Sequence, residues 1–341
     1  MLDLFRRFRP STSASPASQH PLLVPLPAPA VLAPGAPVVI TVEALRKTFG
    51  RLEAVKGVSF TVARGEIFGI LGPNGAGKTT TLECIEGIQP PTSGRAIVLG
   101  HETPKDVTAI KERIGVQLQS SAYYEYLTLT EILELFGRFY QRRVDPLELL
   151  AKVDLQEKAR TSVGKLSGGQ RQRFSIAATL VNDPEVIFLD EPTTGLDPQA
   201  RRNLWDFIQR IHAEGRTVVL TTHYMEEAEF LCHRVAIMDH GRIVALDAPA
   251  NLVRALRTPY ELIFTVEPAV VGVDIGQLEG VISWGVTPDG LFHAKSFDTT
   301  QTLTALLAWA QRTGRRVQRL EVRPLTLEDV FLSITGRALR E

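Results

Sequence analysis

From Val38 onward the chain breaks into short β-branched runs separated by glycines. Val38–Val42, Val58–Val62 and Ile67–Leu71 read as strands, and Ala96–Leu99 and Ile114–Leu118 also look extended. Helical periodicity covers roughly 78–86, 129–141, 146–153, 169–181, 198–213 and 224–231, and strands at 185–190, 217–222 and 234–238 interleave with these. Strands alternating with helices predict a parallel α/β sheet, to which the early strands add an antiparallel β layer. Beyond residue 257 the pattern changes to strands at 260–266, 281–285, 291–296 and 317–323, with helices at 300–312 and 326–335. That is enough for a small α+β domain, and no internal repeat relates it to the first part.

Composition acts mainly by exclusion. A length of 341 residues suits two domains, and 44% hydrophobic with 22% charged residues is globular. Lys+Arg and Asp+Glu are both 38, so no overall basic field exists to hold nucleic acid. The two cysteines, Cys84 and Cys232, lie far apart and make neither a disulfide framework nor a metal motif, which favours a reducing compartment. No apolar run reaches the length of about 18 residues that a membrane span needs. Residues 1–37 hold eight of the 21 prolines and read as a flexible, Pro/Ala-rich tail. The tail opens with a basic, amphipathic Met1–Arg9. Three readings of that start stand side by side: a membrane-surface foot, an export signal built on Arg6 and Arg7, and a plain disordered extension.

The chemistry begins at Gly72, Pro73, Asn74, Gly75, Ala76, Gly77, Lys78 and Thr79, which fit G-x-x-x-x-G-K-[ST] with Thr80 following. The segment lies between a strand and a helix start, where backbone N–H groups and the helix dipole converge on phosphate. Lys78 supplies a charge for the β- and γ-phosphates, and the Thr79 hydroxyl is a ligand for Mg²⁺. Some 110 residues later, Val186–Leu189 forms an apolar strand that ends in Asp190 and Glu191, at the carboxyl end where α/β sheets place ligands. Asp190 can hold Mg²⁺ through water, and Glu191 can orient an attacking water or take its proton. Leu166, Ser167, Gly168, Gly169 and Gln170 precede a helix, with Ser167 as a natural N-cap, and make a second anion site.

With these motifs the chain resembles the ATP-binding subunit of an ABC transporter over about residues 38–255. The resemblance implies a P-loop NTPase (RecA-like) α/β core with an antiparallel β-subdomain and a helical signature subdomain. Domain limits are then 1–37 for the tail, 38–256 for the cassette and 257–341 for the small C-terminal domain. Phe49 stands where an aromatic stacks on adenine, Gly72–Thr79 matches the Walker A loop, and Gln119 matches the Q-loop, with Gln117 a rival two residues earlier. Ser167–Gln170 matches the signature, Asp190-Glu191 the Walker B strand and catalytic glutamate, Asp197 the D-loop, and His223 the switch histidine. Gln119 would sense Mg²⁺ and water, beside Thr79 and Asp190; His223 would contact the γ-phosphate and hold Glu191.

In that family two cassettes meet head to tail, each ATP lying between one P-loop and the other subunit's signature. One set of motifs here implies a homodimer or a pair with a similar cassette, acting at the cytoplasmic face of the membrane with a separate permease. His223–Glu229 and Pro324–Gly336 resemble the ATPases of ABC-2-type exporters, including daunorubicin-resistance-like ones. The rival class is an ATPase of DNA repair or translation. Repair ATPases insert a long coiled coil between P-loop and signature, and the 89 residues from Lys78 to Ser167 carry no sustained heptads. A docking site for the permease is expected just after Gln119, at Ser120–Tyr126, where three of the chain's six tyrosines lie; packing of these rings inside the helical subdomain is the competing expectation.

Overall fold

The structure, a computed structural model, describes residues 37–117, 123–256, 260–267 and 275–336. The expected N-terminal tail, apart from residue 37, and Gln119 lie outside the described residues. These residues fall into two compact units, 37–250 and 251–336.

In the first unit β1 (Val38–Phe49) and β2 (Leu52–Ala63) form a long hairpin. Both strands exceed the expected runs. Register shifts between Val42 and Leu45, and at Lys47, reset the alternation of faces, so the apolar pattern exposes only fragments of each strand. Next come β3 (Ile67–Leu71), α1 (Lys78–Glu86), β4 (Ser93–Val98), β5 (His101–Thr103), α2 (Val107–Lys111) and β6 (Ile114–Gln117). The helices α3 (Leu129–Gly137), α4 (Pro146–Lys152) and α5 (Gly168–Thr179) follow, then β7 (Val186–Asp190), α6 (Pro198–Ala213), β8 (Thr217–Thr222), α7 (Met225–Leu231), β9 (Arg234–Asp239), β10 (Arg242–Asp247) and α8 (Pro249–Arg254). The unexpected elements β5, α2, β10 and α8 have three to six residues each, too few to show a period.

One sheet has the order β2-β1-β4-β5 and is antiparallel; the other has the order β10-β9-β3-β8-β7-β6, parallel except for β10. Every residue of β3, β7 and β8 is buried, which explains the apolar runs of β3 and β7 and the apolar trio Val218–Leu220 that threonines bracket in β8. A common core joins the two sheets, with Phe60 stacked on Phe68 at 5.0 Å between ring centroids and Leu82 of α1 packed into it. Arg234 adds a buried polar tie: it pairs with Glu66 at 2.7 Å and donates to the Thr61 carbonyl. Because Leu71 lies beside Thr222, and Asp190 beside Thr221, the carboxyl ends of β3, β7 and β8 meet at one edge.

The second unit contains β11 (Tyr260–Glu267), β12 (Val281–Val286), β13 (Phe292–Ser296), α9 (Thr299–Thr313), β14 (Arg316–Pro324) and α10 (Leu327–Thr335). Its sheet, in the order β12-β13-β11-β14, is antiparallel throughout. Leu262, Phe264 and Phe292 form its core with Leu306 of α9. Phe264 is 1% exposed and stacks on Phe292 at 5.4 Å. Phe264→Ala should therefore cost about 3–5 kcal/mol in the stability of this unit. A urea transition of the second unit at the wild-type midpoint would contradict this packing.

Candidate functional site

The loop Gly72–Thr79 leaves β3 and enters α1 with Gly77 as N-cap at φ +98°, a conformation natural only to glycine. A Cβ there would lie 2.5 Å from the Ala54 carbonyl oxygen of β2, and one on Gly72 would lie 2.2 Å from that of Met238. The loop is thus wedged between backbones. No side chain caps α1, so its first N–H groups are left for a ligand. Asn74, Gly75, Gly77, Lys78, Thr79, Thr80 and Glu191 line a cavity of about 250 Å³. Pro73 and Ala76 shape the loop beneath it, as Ala76 donates its N–H to the Pro73 carbonyl. Lys78, only 4% exposed, donates to the carbonyls of Gly72 at 2.9 Å and Pro73 at 3.2 Å, and pairs with Glu191 Oε1 at 3.0 Å.

Asp190 ends β7 and accepts from Thr79 Oγ1 at 3.0 Å and from the Thr221 hydroxyl of β8. Thr221 Oγ1 in turn accepts from the Glu191 N–H at 2.9 Å. Glu191 itself has φ +47°, a left-handed backbone that a non-glycine residue holds only under constraint. Its Oε2 accepts from Thr194 Oγ1 at 3.1 Å and lies 3.1 Å from His223 Nδ1, while Oε1 faces Lys78. The His223 hydrogen bond, followed by the Lys78 charge, outweighs burial and draws the Glu191 carboxyl down to about 2. This is an ionised carboxylate held at both oxygens. Thr79 and Asp190 are hard oxygen donors in contact, a fit for Mg²⁺ shared with a nucleotide phosphate. Among the described residues no cluster of three or more His, Cys, Asp or Glu makes a self-sufficient metal site.

Ser167 caps α5 in a capping box with Gln170: Ser167 Oγ accepts from the Gln170 N–H, and Gln170 Oε1 from the Ser167 N–H. Ser167, Gly168, Gly169 and Gln170 line a second cavity of about 490 Å³ with Gly195 and Asp197, and no phosphate-loop residue reaches it. Asp197 caps α6 through the Ala200 N–H at 2.9 Å. The Gln172 side chain of α5 donates to the Pro192 carbonyl, one residue after Glu191. Phe49 sits at the hairpin tip and is 45% exposed; the same hairpin meets the loop region through Lys56 N–H to Gly241 O and Gly241 N–H to Ala76 O. Gln117 is buried at the end of β6, and its Oε1 has no hydrogen-bond partner among the described residues.

Sequence reasoning missed Thr221 and Thr194, because nothing in the pairs Thr221-Thr222 and Thr193-Thr194 says which hydroxyl turns to the acid. It also missed Glu227, wholly buried, which accepts from Trp205 Nε1 at 2.9 Å and whose carboxyl burial pushes up. The tyrosine cluster divides. Tyr123 packs edge-on against Phe174 and donates to Ser175 at 3.1 Å, as the inward-packing expectation has it, whereas Tyr124 and Tyr126 are 68% and 94% exposed.

The family described as ABC transporter matches residues 55–194. A Nod factor export ATP-binding protein of Paraburkholderia xenovorans is 38% identical over 308 residues, covering 89% of this chain and 98% of that protein. A daunorubicin resistance ATP-binding protein of Streptomyces coeruleorubidus is 38% identical over 309 residues, 87% of this chain and 96% of its own length. Among solved structures, a dimeric bacterial ABC transporter cassette superposes with a TM-score of 0.56 and 30% identity, over 61% of this chain and 98% of that one.

The Glu191 environment predicts a pH dependence. Its native carboxyl ionises more readily than the ordinary value of 4.5. The stability this gives is complete above about pH 4.5 and is lost as pH falls through about 2. Wild-type chain should lose stability more steeply than Glu191→Gln between about pH 5 and pH 2 in denaturant titrations. Equal acid slopes in the two proteins would contradict the assignment.

Proposed function

The chain belongs to the ATP-binding subunits of ABC transporters, and on that premise we propose that it hydrolyses ATP at the interface of a cassette dimer and so drives an exporter with a separate permease. The observation that carries this reading is the meeting of Lys78, Thr79, Asp190, Glu191 and His223, from distant parts of the chain, at one sheet edge. The relatives' names support the exporter class, as a Nod factor exporter and a daunorubicin resistance protein. Among the described residues no helix is long and apolar enough to cross a membrane, which fits a subunit lying peripherally at the cytoplasmic face. Cargo is then chosen by the permease.

In this mechanism the loop N–H groups and Lys78 bind the β- and γ-phosphates. Lys78 Nζ now divides its donors among Glu191 Oε1 and two loop carbonyls, so an arriving triphosphate offers it a stronger partner and frees Glu191 for water. Thr79 and Asp190 would hold Mg²⁺, which would supply charge neutralisation on the phosphates, and Gln119 is the residue expected to sense it. Glu191 orients the attacking water and receives its proton, while His223 fixes the carboxylate and reaches the γ-phosphate. Phe49 stacks on the base. Ser167–Gln170 binds the nucleotide of the second subunit; the separation of the two cavities on one chain supports this division. Asp197 lines the signature cavity from the D-loop side. Limits of 38–256 for the cassette and 257–341 for the accessory domain belong to the same reading.

Glu191→Gln should keep ATP binding, trap a closed dimer and lower turnover by about 10²-fold or more. ATPase at the wild-type rate in the purified variant would refute the role. For the permease contact, Tyr124→Ser with Tyr126→Ser should uncouple transport while basal ATPase of the isolated subunit stays near wild type, since both rings are exposed. Normal transport in the double variant would place the contact elsewhere.

A further inference from the structure

Glu227 stands in the first turn of α7 and is wholly buried. Its Oε1 accepts from Trp205 Nε1 of α6 at 2.9 Å. Its other oxygen, Oε2, has no hydrogen-bond partner among the described residues, and the same holds for the hydroxyl of Thr193, which is 1% exposed. The two orphans are neighbours. Burial pushes the Glu227 carboxyl up, and the hydroxyls of Thr222 and Thr193 lie close enough to oppose that push, together with the indole and the Arg201 charge. A buried donor and a buried acceptor each cost free energy while unpaired, and a bond between them removes both penalties at once. Trp205 accounts for one oxygen of Glu227 and leaves the other, with Thr193, without a task in the resting fold.

The segments around this carboxyl are the ones that hold the hydrolytic pair. Thr193 lies between Glu191 and Thr194, whose hydroxyl donates to Glu191 Oε2 at 3.1 Å. Thr222 directly precedes His223, and its hydroxyl accepts from the Tyr224 N–H at 2.9 Å across the turn that presents the imidazole. Arg201 of α6 lies over the Tyr224 ring at 4.0 Å, and that ring lies 4.1 Å from the His223 ring. His223 and Glu191 thus meet at 3.1 Å on two segments that border one buried acid. We propose that Glu227 is a positioning residue: when nucleotide engages the site, Thr193 Oγ1 donates to Glu227 Oε2 and fixes the segment behind Glu191 against the turn that carries His223. This rests on the reading of Glu191 and His223 as the hydrolytic pair, and adds the group that sets their spacing. A triphosphate that draws Lys78 from Glu191 Oε1 releases one of the carboxylate's anchors. Thr193 is two residues on in the same segment, so the readjustment is delivered to the unmade bond. Glu227 acts only through Thr193 and Thr222.

The test is steady-state ATPase of the full chain, with melting temperature read in parallel. Thr193→Val keeps the volume and removes a hydroxyl that closes no bond among the described residues. It should leave the nucleotide-free melting temperature at or above that of wild type, and lower kcat about tenfold with KM for ATP within about twofold. Glu227→Gln, whose amide still accepts from Trp205 and can donate to Thr193 Oγ1, should keep kcat within about threefold. Glu227→Leu should lower kcat as Thr193→Val does, and the double variant should lose no more, because both changes remove the same bond. If Glu227→Leu does not fold, Thr193→Val decides alone. A wild-type kcat in Thr193→Val would overturn the proposal. So would a lowered nucleotide-free melting temperature, since the bond would then exist before nucleotide arrives. A wild-type chain without ATPase would instead refute the underlying reading, and the proposal with it.

Discussion

The buried pairing of Lys78 with Glu191 is the constraint around which the nucleotide edge is organised. Both side chains are nearly inaccessible, and they meet at 3.0 Å. Neither charge could remain in such a place without the other, since removal of one partner from a buried pair costs far more than the pair itself contributes. The pair forms only if β3 and β7 both end at the same edge with β8 between them, which is the observed order. Thr221 of the intervening strand then serves both acids at the end of β7, donating to Asp190 and accepting from the backbone of Glu191. The left-handed backbone of Glu191 is held by these same bonds, so position of the acid and order of the sheet are one requirement.

A single chain carries two cavities at helix starts, and they do not meet. The phosphate loop and the capped start of α5 line different cavities. Each is built from backbone donors freed at a helix start, in one case by a glycine N-cap with no side chain and in the other by glycines behind a serine cap. In the proposed reading two half-sites of this kind are completed by a second copy, and a solved cassette that this chain resembles is dimeric.

Much of this was legible in the sequence, for identifiable reasons. The strands β3 and β8 and the helices α1 and α6 have the expected bounds, because β3 reads as an apolar run, β8 as an apolar trio bracketed by β-branched threonines, and both helices open with unambiguous signals: the glycine loop, and Asp197 before Pro198. The hairpin was half-read because its bulges break the period of two. Side-chain direction was not legible at all. Tyr123 and Tyr124 are adjacent and of one type, yet one ring packs on Phe174 and the other is exposed, an outcome fixed by helices about 50 residues away. Glu227 was hidden for the opposite reason: an acid in the first turn of a helix looks like a solvated surface residue until its burial is known.

The hydrogen bond from Gln172 to the Pro192 carbonyl has a mechanical meaning in a head-to-tail pair. Its donor lies on the helix that would grip the partner's nucleotide, and its acceptor adjoins the residue that would orient the attacking water at the subunit's own. In the proposed dimer a pull on α5 from one nucleotide would be delivered to the backbone at the other. The two hydrolytic events of such a dimer would be geared through each subunit by a single amide, so that neither site could fire without a strain being registered across the assembly.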